Sequence, residues 1–421
     1  MLRRIKNILY FTVARYFRFF AKIRLAYWRP HIVVITGSNG KTSALNLAEV
    51  QLGNAARYSH NANSSFGIPF DILGLNRNSY SPLEWILLFV RAPFNAWRHP
   101  YAEKIYVVEA DCDRPGEGRF LSALLTPEVV VWLSSARTHS QNFDKEVASH
   151  KFPTVEKAIA HEFGHFAARA TKRAYLNTDN PLIASEVRRV RAEIHPITKR
   201  DLELYTITPD GSEFRIKEKL YQTPYLLPKE TFYAVAASVH LAQYFGLKPT
   251  TDLSKLRMQP GRSSVFHGIK GTTIIDSTYN ANADSVAEVF HMTQRLPAGR
   301  KWLILGDLTE QGAEEKEEHE KVARLALEVS AEKIILVGPR LAKYALPILK
   351  NMSSAKIVSY NSPKDALDDI EASLQGGEML IFKGARFLEG VVEHLLQNKS
   401  DTEKLCRREA IWQRRRAQWG L

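Results

Sequence analysis

The sequence predicts an α/β protein with two doubly wound domains, and three observations carry that expectation. First, a β-branched run at 31–36 (HIVVIT) passes into a glycine-containing turn and then a helix-length stretch from about residue 42 to 52, the strand, turn and helix that open a phosphate-loop α/β domain. Second, further buried-strand candidates at 105–109 (IYVVE) and 129–133 (VVVWL) alternate with helical stretches, so this sheet should be mostly parallel. Third, a new series follows Pro260: 273–276 (TIID), 301–305 (KWLIL), 333–337 (KIILV), 356–359 (KIVS) and 378–382 (EMLIF). Helix-length segments separate these runs, as a Rossmann-like C-terminal domain requires. The expected partition is a basic aromatic N-terminal helix at 1–30, a central domain of P-loop ATPase type at 31–260, a C-terminal α/β domain at 261–398 and a basic tail at 399–421. Short strands and turns at 201–227 should close the central domain.

The chain has 421 residues, 45% of them hydrophobic, enough to bury more than one core. Its two cysteines, Cys112 and Cys406, are too few and too far apart for a disulfide framework or a cysteine-based metal knot, which fits a reducing cytoplasmic compartment. The net charge is +13, of which the ends at 1–30 and 399–421 carry +12 and the body +1. A nearly neutral body argues against a nucleic-acid partner.

The first 28 residues mix Arg and Lys with aromatics, and their longest uncharged run, 7–14, is far shorter than the roughly 20 residues of a membrane span. No small-residue cleavage site follows an apolar block, so a secretory signal is not expected. Two readings stay open: a helix lying on an anionic membrane surface at the inner face of the membrane, or a helix packed on the body with its arginines in solvent.

The chemistry concentrates in Gly37-Ser38-Asn39-Gly40-Lys41-Thr42. Glycines let the backbone curl so that its N–H groups face phosphate oxygens, Lys41 brings charge to the outer phosphates, and the Thr42 hydroxyl can ligate Mg²⁺. The helix that follows points its N-terminus at the same anion. The usual G-x-x-x-x-G-K-[ST] pattern would need a glycine where Ile35 stands.

This T-G-S-N-G-K-T form resembles the phosphate loop of the Mur ligases, ATP-dependent amide ligases of cell-wall precursor synthesis, and other matches follow in that family's order from about 31 to 395. Asn61-Ala62-Asn63 with Gly67-Ile68-Pro69 resembles a segment of the branch that adds D-alanyl-D-alanine to a muramoyl-tripeptide. Glu109, with Pro115-Gly116-Glu117 after it, resembles the Mg²⁺-binding glutamate, and His139 the second metal residue. Arg262 in P-G-R and Asp276 in D-S-T-Y-N-A-N-A-D-S resemble the ATP-contacting arginine and aspartate, with Tyr279 and Asn280 beside them. Leu305-Gly306-Asp307 with Glu310, Gly312 and His319, and Lys383-Gly384-Ala385-Arg386, complete the series.

The resemblance implies ATP and Mg²⁺ as cofactors and an acid and an amine as small-molecule or lipid-linked substrates. Lys41, Glu109 and His139 would be catalytic. Asn61, Asn63, Asn282, Lys383 and Arg386 would contact substrate. A carboxylate is a poor electrophile and must first take a phosphoryl group, which calls for phosphate cradling, metal and afterwards positive charge at the tetrahedral intermediate.

Three departures accompany the likeness. Family members carry about a hundred residues before this loop, forming a UDP-sugar domain, whereas the loop here starts at residue 36. The family's H-N-x-x-N falls on 229–233 (KETFY), so both asparagines are replaced. The lysine that many members carbamylate is either Lys157 or replaced by Phe163. Besides a ligase of this type, the residues leave open a related ligase acting on a folate, a polyamino acid or a lipid-linked precursor, and a noncatalytic nucleotide-binding subunit. They also leave open a zinc hydrolase, because His161-Glu162-Phe163-Gly164-His165 matches H-E-x-x-H, with Glu186 as a distant third ligand. The aromatic segment 80–97 is expected to be a core element, an apolar lid or a membrane contact.

Overall fold

The computed structural model describes residues 2–60, 62–77, 81–297 and 299–421, with side chains from residue 10 onward. Contacts divide the chain into two units, Met1–Asp201 with Tyr233–Thr250 and Leu202–Phe232 with Thr251–Leu421.

Unit 1 is built on a parallel six-stranded sheet: β1 (His31–Thr36), β2 (Ala56–Tyr58), β3 (Ile105–Ala110), β4 (Val129–Trp132), β5 (Arg173–Asn177) and β6 (Glu193–Ile197), in the order β2-β3-β1-β4-β5-β6. Central β1 pairs Val33 with Val107 of β3 and with Val129 of β4. Helices cover both faces of such a sheet, so its central strands are continuous apolar runs, which is why they were legible. β2 has only three residues, and β5 (RAYLN) and β6 (EIHPI) mix in polar side chains, so pattern alone did not single them out.

The N-terminal helix Leu2–Trp28 belongs to this unit. Ala14, Phe17, Ala21, Leu25 and Trp28 recur at helical spacing and are buried in its hydrophobic core. Phe17 meets Phe70 and Phe89 at ring distances of 4.7 and 5.0 Å. Buried Arg24 donates to the carbonyls of Asn95 (3.2 Å), Arg98 and His99 (2.7 Å), satisfying the C-terminal end of the Pro82–Ala96 helix. One face of the helix is therefore packed on the body.

Unit 2 holds a second sheet: β10 (Ser264–His267), β11 (Thr273–Ser277), β12 (Lys301–Gly306), β13 (Lys333–Val337), β14 (Lys356–Tyr360) and β15 (Met379–Lys383), ordered β10-β11-β15-β12-β13-β14. Only β10 runs antiparallel to its neighbour. A separate antiparallel meander, β7 (Leu202–Thr208), β8 (Gly211–Ile216) and β9 (Lys219–Thr223), also belongs to unit 2. The sequence had placed it at the end of the first domain, but Gln222 exchanges backbone hydrogen bonds with Thr251 (3.2 Å) and Leu253 (2.9 Å). The basic C-terminal segment is also packed: Arg416 is buried and donates to the Arg407 carbonyl at 2.8 Å, while Arg407 pairs with buried Glu389 at 3.3 Å.

Because Phe17 fills the core rather than the surface, Phe17→Ala should cost unit 1 about 3–5 kcal/mol. Urea titration followed by circular dichroism should show that loss, and exposed Arg15→Ala should leave the midpoint in place.

Candidate active site

In unit 1 the C-terminal ends of β1, β3 and β4 emerge side by side, the edge at which open parallel sheets bind ligands. The Thr36 hydroxyl ties β1 to β3 by donating to Ala110 O at 2.8 Å. Gly37 then turns with φ 131°, and a Cβ there would lie 2.6 Å from Ser134 O, so only glycine allows this approach. The Ser38 hydroxyl bonds both backbone groups of Ala136 at 2.8 Å, and Asn39 N donates to Ser134 Oγ at 2.7 Å. Gly40, at φ 79°, is the N-cap of the Lys41–Leu52 helix.

Lys41 folds back into this loop. Its Nζ donates to Gly37 O (2.6 Å) and Ser38 O (3.3 Å) and pairs with Asp111 at 2.9 Å. Thr42 is buried in the same first helical turn. The six loop residues picked from the sequence are thus assembled on one hydrogen-bonded frame.

Glu109, at the end of β3, is buried; its N–H donates to Ser59 Oγ at 3.0 Å and its Oε1 accepts from Asn63 Nδ2 at 3.4 Å. Asn61 lies outside the described residues. His139 adopts φ 50° and its Nε2 lies 3.2 Å from Asp113 Oδ1. Donor atoms of Asp111, Asp113 and His139 fall within 4.8 Å of one another. Sequence reasoning had grouped His139 with Glu109 and Thr42 and overlooked both aspartates. The available signal was two acids within four residues of a buried strand's C-terminal end. Burial pushes Asp113 up to about 6, opposed by His139 and reinforced by Asp111 and Glu117. Lys157 is exposed, whereas the Phe163 ring lies 5.9 Å from Lys41 Nζ.

The zinc-site reading fails on its neighbours. His161 and His165 do share one face of the Val155–Ala168 helix, with rings 5.1 Å apart, but the Arg189 guanidinium stands against both, 3.0 and 3.2 Å from their Nδ1 atoms. Arg189 also pairs with Glu186, the supposed third ligand. A cation where the metal should sit excludes the metal, and burial with Arg189 beside it lowers His165 to about 4. Glu162 is no general base: its carboxylate accepts from Gly116 N (2.7 Å) and Gly118 N (3.0 Å) at the start of the Glu117–Leu125 helix.

Unit 2 repeats the edge logic with β11, β15 and β12. Asp276 is fully buried; Oδ1 accepts from Thr278 N (3.0 Å) and Oγ1 (2.7 Å), while Oδ2 has no hydrogen-bond partner among the described residues. Burial raises its carboxyl to about 6. The Arg262 guanidinium lies 4.7 Å over the Tyr279 ring, and Lys383 Nζ donates to Asn280 O at 2.7 Å. Burial lowers Lys383 to about 8, opposed by Glu288, a glutamate the sequence reading missed. Glu288 is itself raised to about 8 by burial and by Glu230. An acid set among Val286, Val289 and Phe290 of one helix was the available clue.

Two predicted substrate contacts have structural partners. Asn282 caps the Ala283–Gln294 helix, reciprocally with Ser285, and Arg386 donates twice to Asp307 Oδ2, at 2.9 and 2.8 Å.

Residues 261–386 match the domain family described as Mur ligase, glutamate ligase domain. In this region the chain is similar to the Mur ligases. It is 24% identical over 397 residues to the UDP-N-acetylmuramoyl-tripeptide–D-alanyl-D-alanine ligase of Bacillus subtilis, covering 90% of this chain and 78% of that one. The Escherichia coli enzyme of the same name is 24% identical over 318 residues, and the match spans 64% of its length. Among solved structures, the MurF ligase of Thermotoga maritima in complex with ADP superposes with a TM-score of 0.71 at 21% identity, over 93% of this chain and 84% of that one. The likeness of fold extends over both six-stranded sheets, one parallel and one parallel except for β10.

Two outcomes follow. Zinc titration should show no stoichiometric binding that depends on His161 or His165. Asp276 holds its proton more tightly folded than unfolded, so its ionisation costs stability increasingly as pH rises from about 4 to about 6. Asp276→Asn, which keeps the acceptor for Thr278, should therefore be more stable than the native chain at pH 7, by up to about 3 kcal/mol, and no more stable near pH 4. Thermal melts at the two pH values test this.

Proposed function

We propose that this protein is an ATP-dependent, ADP-forming ligase that joins a carboxylate of a cell-wall precursor to the amine of an amino acid or dipeptide through an acyl phosphate. The observation that carries the reading is the assembled loop: Ser38 and Asn39 hold it on Ala136 and Ser134, and a buried Lys41 pairs with Asp111, whose neighbours are Asp113 and His139. The branch named for D-alanyl-D-alanine addition supplies the substrate class, a muramoyl-tripeptide and D-alanyl-D-alanine, with soluble UDP-linked and lipid-linked acids both candidates.

Backbone N–H groups of the loop and the Lys41 ammonium would bind the transferring phosphoryl group and balance its charge. The donor set of carboxylates and one imidazole suits a hard divalent cation. Asp113 and His139, whose donor atoms lie within 4.8 Å of each other and of Asp111, would hold Mg²⁺, with Glu109 and the Thr42 hydroxyl as the resemblance implies, and the ion would supply charge neutralisation at the phosphates. Phe163 beside Lys41, with Lys157 in solvent, supports a site without a carbamylated lysine.

In unit 2, the unpartnered Asp276 Oδ2 suits a hydroxyl donor, as the resemblance to a nucleotide-contacting aspartate implies. Lys383 is the better candidate than Arg386 for the charge that steadies the tetrahedral intermediate, because Asp307 already takes the Arg386 guanidinium.

ADP release should require both an acid and an amine when the chain is supplied with UDP-muramoyl-tripeptide or its lipid-linked counterpart and D-alanyl-D-alanine. Lys41→Ala should lower that rate by about 10²–10³-fold or more. ADP release that ignores acid and amine, or survives Lys41→Ala, would overturn the assignment.

A further inference from the structure

The Pro82–Ala96 helix packs its inner face on the body through Leu88, Ala92, Asn95 and Ala96. Its outward face is apolar as well. Leu83, Ile86, Leu87, Val90 and Phe94, with Trp97 just beyond, recur at helical spacing and are each 52–74% exposed. A surface helix of a soluble protein normally turns charge outward; a helix apolar all round meets a second apolar phase.

The helix does not stand alone. Tyr16 of the Leu2–Trp28 helix donates to Phe89 O at 2.7 Å, and Phe20 meets Trp97 at 6.3 Å, so the two helices form one layer. The Leu2–Trp28 helix adds exposed Phe19 and Tyr27, and Arg15, Arg18, Phe19 and Lys22 frame a shallow surface pocket. Arg15 and Lys22 have no carboxylate partner among the described residues, and Arg18 rests on the Phe120 ring at 4.6 Å. Arg91 is exposed on the other helix and Arg98 just past its C-terminal end, and the helix carries a single acid, Glu84.

We infer that this two-helix layer is a peripheral membrane-binding surface, with the 83–97 ridge inserted at the headgroup boundary and the cations of both helices on anionic headgroups. An apolar ridge edged by unneutralised arginine and lysine is the pattern of interfacial helices. No helix among the described residues is long and apolar enough to cross a membrane, so the attachment is lateral. A second copy of the chain fits less well, since a two-fold contact through this face would bring Arg15, Lys22, Arg91 and Arg98 toward their own images.

The full chain is tested by co-sedimentation with vesicles of phosphatidylcholine alone or with added phosphatidylglycerol. Binding should favour the anionic vesicles by at least about tenfold and fall in high salt. The double substitution Leu87→Glu/Phe94→Glu, at exposed positions, should abolish binding to both while leaving circular dichroism and melting temperature unchanged. Arg15→Glu/Lys22→Glu should remove only the preference for anionic lipid. No binding by the native chain, or binding unaffected by Leu87→Glu/Phe94→Glu, overturns the proposal. So does self-association in sedimentation velocity that those substitutions abolish without any vesicle binding, which would assign the ridge to a second copy.

Discussion

The contact on which the candidate site depends is the close approach of the 37–41 loop to the backbone at 134–136. β1 and β4 are adjacent and parallel, so the segments leaving their C-terminal ends are forced together. Gly37 makes the approach sterically possible, and Ser38 locks it with hydrogen bonds to Ala136 in both directions. With the loop held there, Lys41 is confined between two of its own carbonyls and the Asp111 carboxylate. The neighbouring β3 then delivers Glu109, Asp111 and Asp113 to the same edge.

Unit 2 is governed by the same geometry with different side chains. Asp276, Lys383 and Asp307 come from or just after the ends of β11, β15 and β12, which lie next to one another in the sheet. Burial governs their electrostatics as it does that of Asp113 in unit 1: Asp276 and Lys383 are both driven toward neutrality, and Glu288 with them. Such displaced acids and bases gather where chemistry is done.

The two faces of the Leu2–Trp28 helix differ in environment. One face completes the core of unit 1 through Phe17 and Trp28, and Arg24 is spent on carbonyls at the end of the Pro82–Ala96 helix. Only the opposite face, with Arg15, Phe19 and Lys22, is open to solvent. Of the two readings of this segment drawn from sequence, packing on the body is the one observed, with the correction that Arg24 is buried rather than in solvent.

Much of the fold was legible because the central strands are continuous apolar runs and the phosphate-loop residues are contiguous. Asn39, Lys41 and Thr42 could be grouped from the sequence because they are contiguous in a single turn. Glu288, Asp111 and Asp113 were missed because their local signals, an acid among apolar helix residues and two acids just past a strand, do not by themselves show which charges burial will isolate. The same limit misled the reading of His161, Glu162 and His165: helical spacing correctly put the two imidazoles on one face, but Arg189, 28 and 24 residues away, occupies the space between them. By itself, then, the sequence determined the strands, the loop and the family likeness, all properties of short-range order. Tertiary structure decided which polar groups meet, since partners distant along the chain share a site only once the sheets have brought them together.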